Sequence, residues 1–194
     1  MAYTTQLASS MKYGAVKVDG TTITSTSGVI SANGAFIEGA HAYYYSTQLQ
    51  PNPVASAINT TSWNIDGIVA SGVTIDAATR TQIKFLQAGT YSVVFTLSLV
   101  KTPGGAGQTD IWLDVDNGGG LVELGYSRQS VVIINTNNPT FVTGNYVLDI
   151  PIANTYITQK WSCPETSVSL YAEGPQVAPV RPGLPSARIT VTQV

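Results

Sequence analysis

The sequence predicts an all-β protein: a jelly-roll β-sandwich over residues 41–194, preceded by a short N-terminal arm with mini-strands over residues 1–40. Three observations carry that expectation. Apolar and polar residues alternate with a period of two along several segments, the pattern of a strand with one buried face. Turn signals built from Gly, Pro, Asn and Asp recur between those segments. Composition agrees: about a fifth of the 194 residues is Ser or Thr, with 18 Gly and 10 Pro, a mix that favours strands and turns over helices. No segment keeps a helical period for longer than a turn or two. Apolar residues make up 43%, enough to build one core.

Residues 1–12 are polar and weakly patterned, and read as an arm or a short helical turn. After Tyr13, the apolar residues Val16, Val18, Ile23, Val29 and Ile30 stand as islands between Asp19-Gly20 and Ser27-Gly28. These are very short strands joined by tight turns. Such a unit buries too little surface to stand alone, so it should pair with copies of itself or lie on another surface.

The segment from Ala42 to Thr47 is strand-like and aromatic, and Pro51 and Pro53 then break the chain. Further strands are expected near 54–59, 62–66, 72–75, 81–86, 90–101, 109–116, 121–135, 140–151, 155–162, 166–172 and 186–194. About eight to ten strands of this length fit a double-sheet jelly roll. Residues 75–80 suit a single helical turn.

The alternation assigns faces. Tyr91, Val93, Phe95, Leu97 and Leu99 share one face of their strand, with Ser92, Thr96 and Ser98 on the other. Ile111, Leu113 and Val115 point one way; Asp110, Trp112, Asp114 and Asp116 point the other. Tyr146, Leu148, Ile150 and Ile152 share a face, as do Ala187, Ile189 and Val191. The runs 131–134 and 147–152 are apolar enough for burial on both sides. Loops are marked at 102–107, 117–120, 135–139 and 174–185, the last carrying Pro175, Pro179, Pro182 and Pro185, which keep it from pairing as an inner strand.

Charge excludes several functions. The chain has 9 Lys+Arg and 11 Asp+Glu, 10% charged residues and a net charge of −2. A nucleic-acid binder needs a basic face to neutralise phosphates, so no nucleic-acid partner is expected. No apolar run is long enough to span a membrane, so no membrane partner is expected. The first six residues lack the basic and apolar regions of a secretory signal. The one cysteine, Cys163, reads as a small buried hydrophobe, consistent with synthesis in a reducing compartment.

Catalytic chemistry finds little material. Any Ser-His-Asp or Cys-His site must use the single histidine, His41, whose neighbours are Gly39, Ala40, Ala42 and Tyr43. Metal sites built from Cys and His are excluded by count. The densest acidic group is Asp110, Asp114, Asp116 and Glu123. It lacks the third acidic position and terminal Glu of an EF-hand, and Asp116-Asn117-Gly118 reads better as a hairpin turn. No enzyme, cofactor, catalytic residue or metal site is expected. The aromatics Tyr43, Tyr44, Tyr45 and Trp112 remain as residues for an interface or a ligand, since an exposed ring fills a protein contact or stacks on a sugar.

Four stretches together carry a resemblance: Ala88 to Leu99, Asp110-Ile-Trp-Leu113, Tyr156 to Leu170, and the ending Pro182-Gly-Leu-Pro-Ser-Ala-Arg-Ile-Thr-Val-Thr-Gln-Val194. They resemble tailed-bacteriophage virion proteins, especially those of phages infecting cyanobacteria. The domain is similar in plan to the trimeric jelly rolls of tumour necrosis factor-like and complement-type heads. The unit from Tyr13 to Ser31 resembles an attachment or trimerising motif near the N-termini of phage head and tail fibres.

The resemblance implies a non-enzymatic virion structural protein, assembled in the host cytoplasm. It would decorate or cement the capsid as a homotrimer bound to the major capsid protein. Attachment would fall to Tyr13, Val16, Val18, Ile23, Val29 and Ile30. The alternative is a tail-fibre or receptor-binding tip that recognises a host surface glycan.

Overall fold

The computed structural model describes residues 23–26, 29–32, 39–69, 72–102, 107–134 and 138–194. The chain divides into two units, Met1–Glu38 and Gly39–Val194. In the first, β1 (Ile23–Thr26) and β2 (Val29–Ala32) form an antiparallel hairpin with Thr26 opposite Val29 and Ile23 opposite Ala32. Ile23, Val29 and Ile30 thus lie on this hairpin, while Tyr13, Val16 and Val18 lie outside the described residues.

The second unit is an antiparallel jelly-roll sandwich of two seven-stranded sheets. One sheet runs β11 (Val122–Glu123), β10 (Gly107–Asp116), β14 (Thr155–Ser162), β8 (Gln82–Phe85) and β7 (Val73–Ile75). In addition, β12 (Gln129–Ile133) pairs with β10, and β5 (Ile58–Thr60) with β14. The other sheet runs β4 (Gln50–Pro51), β15 (Val168–Leu170), β9 (Gly89–Lys101), β18 (Ala187–Gln193), β3 (His41–Ser46) and β6 (Ile65–Val69). There, β13 (Thr140–Ile150) pairs with β9 over the whole length of β13.

The period-two pattern places the core. Tyr91, Val93, Phe95, Leu97 and Leu99 of β9 are all fully buried, as their alternation requires. Facing them from the β10 sheet are Ile111, Leu113, Ile157, Trp161, Ile83 and Phe85. Phe85 and Tyr91 join the two sheets, with ring centroids 4.6 Å apart and planes tilted by 60°. Burial of these side chains at about 25 cal/mol per Å² is the main force holding the sandwich closed.

Two expectations are corrected. The segment 121–135 is not one strand: β11 ends at Glu123, a 3-10 turn occupies Gly125–Ser127, and β12 follows. Ser127 makes the break possible. Its hydroxyl accepts the Leu113 N–H at 2.8 Å and donates to the Leu124 carbonyl at 2.7 Å, so a side chain takes over pairing that a continuous strand would supply. Second, the runs 131–134 and 147–152 are buried on one side only: Ile133, Leu148 and Ile150 face the core, whereas Val132, Ile134, Val147 and Ile152 are exposed. The proline-rich stretch 174–185 supplies no strand to either seven-stranded sheet, as expected, and forms a small separate hairpin of β16 (Gln176–Val177) and β17 (Val180–Arg181) around the cis Ala178–Pro179 bond.

Residues 75–80 do contain a turn, in which the Arg80 N–H donates to the Asp76 carbonyl at 2.8 Å. At the hairpin after β10, Gly118 takes a φ of +99°, open to glycine at no steric cost, and Asp116 Oδ1 accepts the N–H groups of Gly118 and Gly120. The two ends of the second unit meet: the Gln193 N–H donates to the Ala40 carbonyl at 2.7 Å, and Gln193 Oε1 accepts the Ala40 N–H at 3.2 Å.

Candidate functional site

Strand pairing assembles the outward side chains of the β9 sheet into rows. One row reads Asn145, Val94, Thr190, Tyr43 and Ile68 across five strands. The next reads Thr143, Thr96, Arg188, Tyr45 and Ile65, and a third reads Val147, Ser92, Thr192 and His41. Among these described residues Arg188 is the one with a permanent charge. Tyr43 and Tyr45 stack on each other with centroids 5.5 Å apart and planes at 24°. They stand two residues apart on one strand face, as the pleat demands.

Tyr44 is the correction to the expected aromatic set. It lies between Tyr43 and Tyr45 and so points the other way, into the core, with no exposed surface. Burial pushes its hydroxyl up to about 12, and the Asp66 carboxylate adds to that rise. His41 is half-buried at the start of β3, its Nδ1 3.2 Å from the Gly39 carbonyl oxygen. Cys163 is a free thiol with no exposed surface.

A second apolar region lies along the sandwich edge formed by β12 and β13. Val132 and Ile134 are more than half exposed there, while the equally exposed Phe141 and Val147 of β13 belong to the outward face of the β9 sheet. These two strands are the edges of different sheets: β12 pairs with β10 and β13 with β9.

The acidic hairpin forms a third feature, on the outer face of the β10 sheet. Trp112 lies on that face, as its alternation with Ile111 and Leu113 predicts, but is only 8% exposed. Its indole N–H donates to Asp114 Oδ1 at 2.9 Å. A recess of about 210 Å³ is lined by Ile58, Asp110, Trp112, Glu123, Arg128 and Ser162. Arg128 reaches Asp110 Oδ2 at 2.8 Å, and the Ser130 hydroxyl donates to Asp110 Oδ1. Burial pushes the Asp110 carboxyl up, but hydrogen bonds from Ser130 and Arg128 outweigh it and hold the group below its ordinary value.

Of the expected acids, Asp110 and Glu123 come together at the recess, while Asp116 caps its own turn. No group of three or more His, Cys, Asp or Glu suited to a metal ion occurs among the described residues. Ile58, Arg128 and Ser162 were not singled out from the sequence. Ile58 and Ser162 reach the recess through strand register, with Asp110 opposite both Ser130 and Ser162 and Ser162 opposite Ile58, and Arg128 arrives between the 3-10 turn and β12.

No family model matches the chain. No curated protein matches it either. Solved structures do. Murine APRIL at pH 8.5 matches with a TM-score of 0.50 at 9% identity, over 80% of this chain and 98% of the APRIL chain. Murine APRIL at pH 5.0 gives 0.50 at 13% identity, over 79% of this chain and 99% of that one. The pH 8.0 form gives 0.51 at 8% identity, over 80% and 98%. At such identities the likeness is one of fold, and it agrees with the tumour necrosis factor-like plan expected from the resemblance.

Proposed function

We propose that this chain is a non-enzymatic structural protein of a phage virion that decorates and cements the head shell as a homotrimer. The observation that carries the self-association is the charge-poor outer face of the β9 sheet, with Tyr43 and Tyr45 at its middle. Hydroxyls, stacked rings and aliphatic groups on one broad face suit burial against protein, since Arg188 is the one permanent charge in those rows to be desolvated.

The exposed Val132 and Ile134 at the β12 edge suit the other half of that contact. Two different patches on one molecule make a heterologous contact, which closes into a ring when the rotation permits. A three-fold ring matches the local three-fold positions of an icosahedral shell. The major capsid protein is the partner below it, and residues 1–40 supply the attachment through Tyr13, Val16, Val18, Ile23, Val29 and Ile30. The low charge of the whole chain supports the same reading, because contacts of this kind are not screened by salt.

Two measurements test it. Sedimentation equilibrium of the purified chain gives three times the chain mass; a single chain mass overturns the trimer. Quantitative mass spectrometry of purified particles gives copies on the order of hundreds, as decoration of a symmetric lattice requires. A handful of copies overturns decoration and moves the protein to a tail tip.

A further inference from the structure

We propose that the recess over Trp112, on the outer face of the β10 sheet, is a carbohydrate subsite sized for one neutral pyranose ring. Its volume of about 210 Å³ is below the range of pockets for drug-sized ligands, which begins at about 300 Å³, so it takes one small ring. Trp112 and Ile58 form the apolar part of the lining. The indole N–H is already committed to Asp114, so what Trp112 offers is ring carbon.

The polar part has a division of labour. Both Asp110 oxygens are engaged, one by Ser130 and one by Arg128, so this carboxylate fixes the guanidinium in place. Glu123 supplies acceptor oxygens, and Arg128 keeps further N–H donors beyond the one given to Asp110. Ser162 adds a hydroxyl. A pyranose has one C–H face and a rim of hydroxyls, each able to donate and to accept. It can lay its C–H groups on Trp112 and Ile58, donate to Glu123 and accept from Arg128.

Charge selects a neutral ligand. Two carboxylates against one guanidinium disfavour an anion, and a cation would compete with Arg128 for the same oxygens. Because Trp112 is mostly covered, the ring contact is partial and binding is weak, with a dissociation constant of about 1 mM. The recess is open within a single protomer, so sugar binding and trimer assembly fail or succeed separately.

The test is a nitrogen–proton NMR titration of the full chain with a panel of glucose, galactose, mannose, rhamnose, fucose, N-acetylglucosamine and N-acetylgalactosamine. At least one sugar is expected to move the Trp112 indole resonance along a saturable curve. Glu123→Ala lies on a short exposed strand and should keep the remaining spectrum. It should weaken that sugar about tenfold, as loss of a hydrogen bond to a charged group does. Arg128→Ala, in a second titration, should weaken it as well. No saturable shift with any of the seven sugars overturns the proposal. So does an undiminished affinity in Glu123→Ala, or a response to inorganic phosphate alone.

Discussion

A Cβ on Gly67 would stand 2.3 Å from Cδ1 of Tyr43. The two residues lie at the point where β3 and β6 shift register, between Tyr43 and Tyr44, and bare backbone on β6 leaves room for the Tyr43 ring. Gly67→Ala must therefore move the ring out of its stack with Tyr45. The expected outcome is a folded chain by circular dichroism with the contacts of the proposed trimer weakened about tenfold, equal to about 1.4 kcal/mol. Sedimentation equilibrium checks it; unchanged association would place Tyr43 outside the contact.

Thr190 sits between Val94 and Tyr43 in the middle row of the same face, exposed to solvent in the single chain. Thr190→Asp leaves the monomer's stability within about 0.5 kcal/mol, as surface changes do. In the proposed trimer it buries a second charge beside Arg188, two residues away on the same face, and desolvating both weakens the contact. Sedimentation velocity should show one chain mass, with a thermal midpoint close to that of the isolated wild-type protomer.

The hydrogen bonds on Asp110 give a pH signature. Its folded carboxyl lies below the ordinary value, so it binds protons less readily than in the unfolded chain. The resulting stabilisation is complete above the unfolded value, about 3.9, and is lost as pH falls through the lower folded value. Asp110→Asn should therefore destabilise the chain at neutral pH and match the wild type in strong acid. Arg128 is more than half exposed, so solvent screening keeps the difference to about 1 kcal/mol or less. Urea denaturation at several pH values checks it, and a gap that widens in acid would contradict the sign.

Ser127 has no exposed surface and holds the break between β11 and β12. Ser127→Ala leaves the Leu113 N–H without its acceptor, at a cost of about 1–3 kcal/mol. Urea unfolding measures this directly, and hydrogen exchange should quicken first at Leu113. An unchanged midpoint would mean that the turn contributes nothing to the fold.

The alternating strands were legible in the sequence because their faces meet different surroundings. Tyr91 to Leu99 carries an apolar residue at every odd position and all five are fully buried, while Val94 interrupts the polar positions and Ser98 is buried as well. The break at Gly125–Ser127 was not legible, since 121–135 is apolar at both ends and its interruption rests on one serine hydroxyl bonded to a different strand. The recess was half legible. Asp110, Trp112 and Glu123 share one hairpin, but Ser162 arrives through a pairing whose register no local pattern specifies, and Arg128 between the 3-10 turn and β12. The tyrosine run shows the same limit at one residue. Alternation says that Tyr44 must oppose its neighbours, but which side faces the core is decided by what packs against β3.

The backbone bonds between Ala40 and Gln193 close the second unit on itself. Its first and last strands are antiparallel neighbours, so residues 39 and 194 lie at the same end of the sandwich. Such a domain can be cut and rejoined. A circular permutant that links residue 194 to residue 39 and opens at the glycine loop 117–120 keeps every strand pairing in place. It also turns this unit into a cassette whose new ends, at the acidic hairpin, are free to carry cargo.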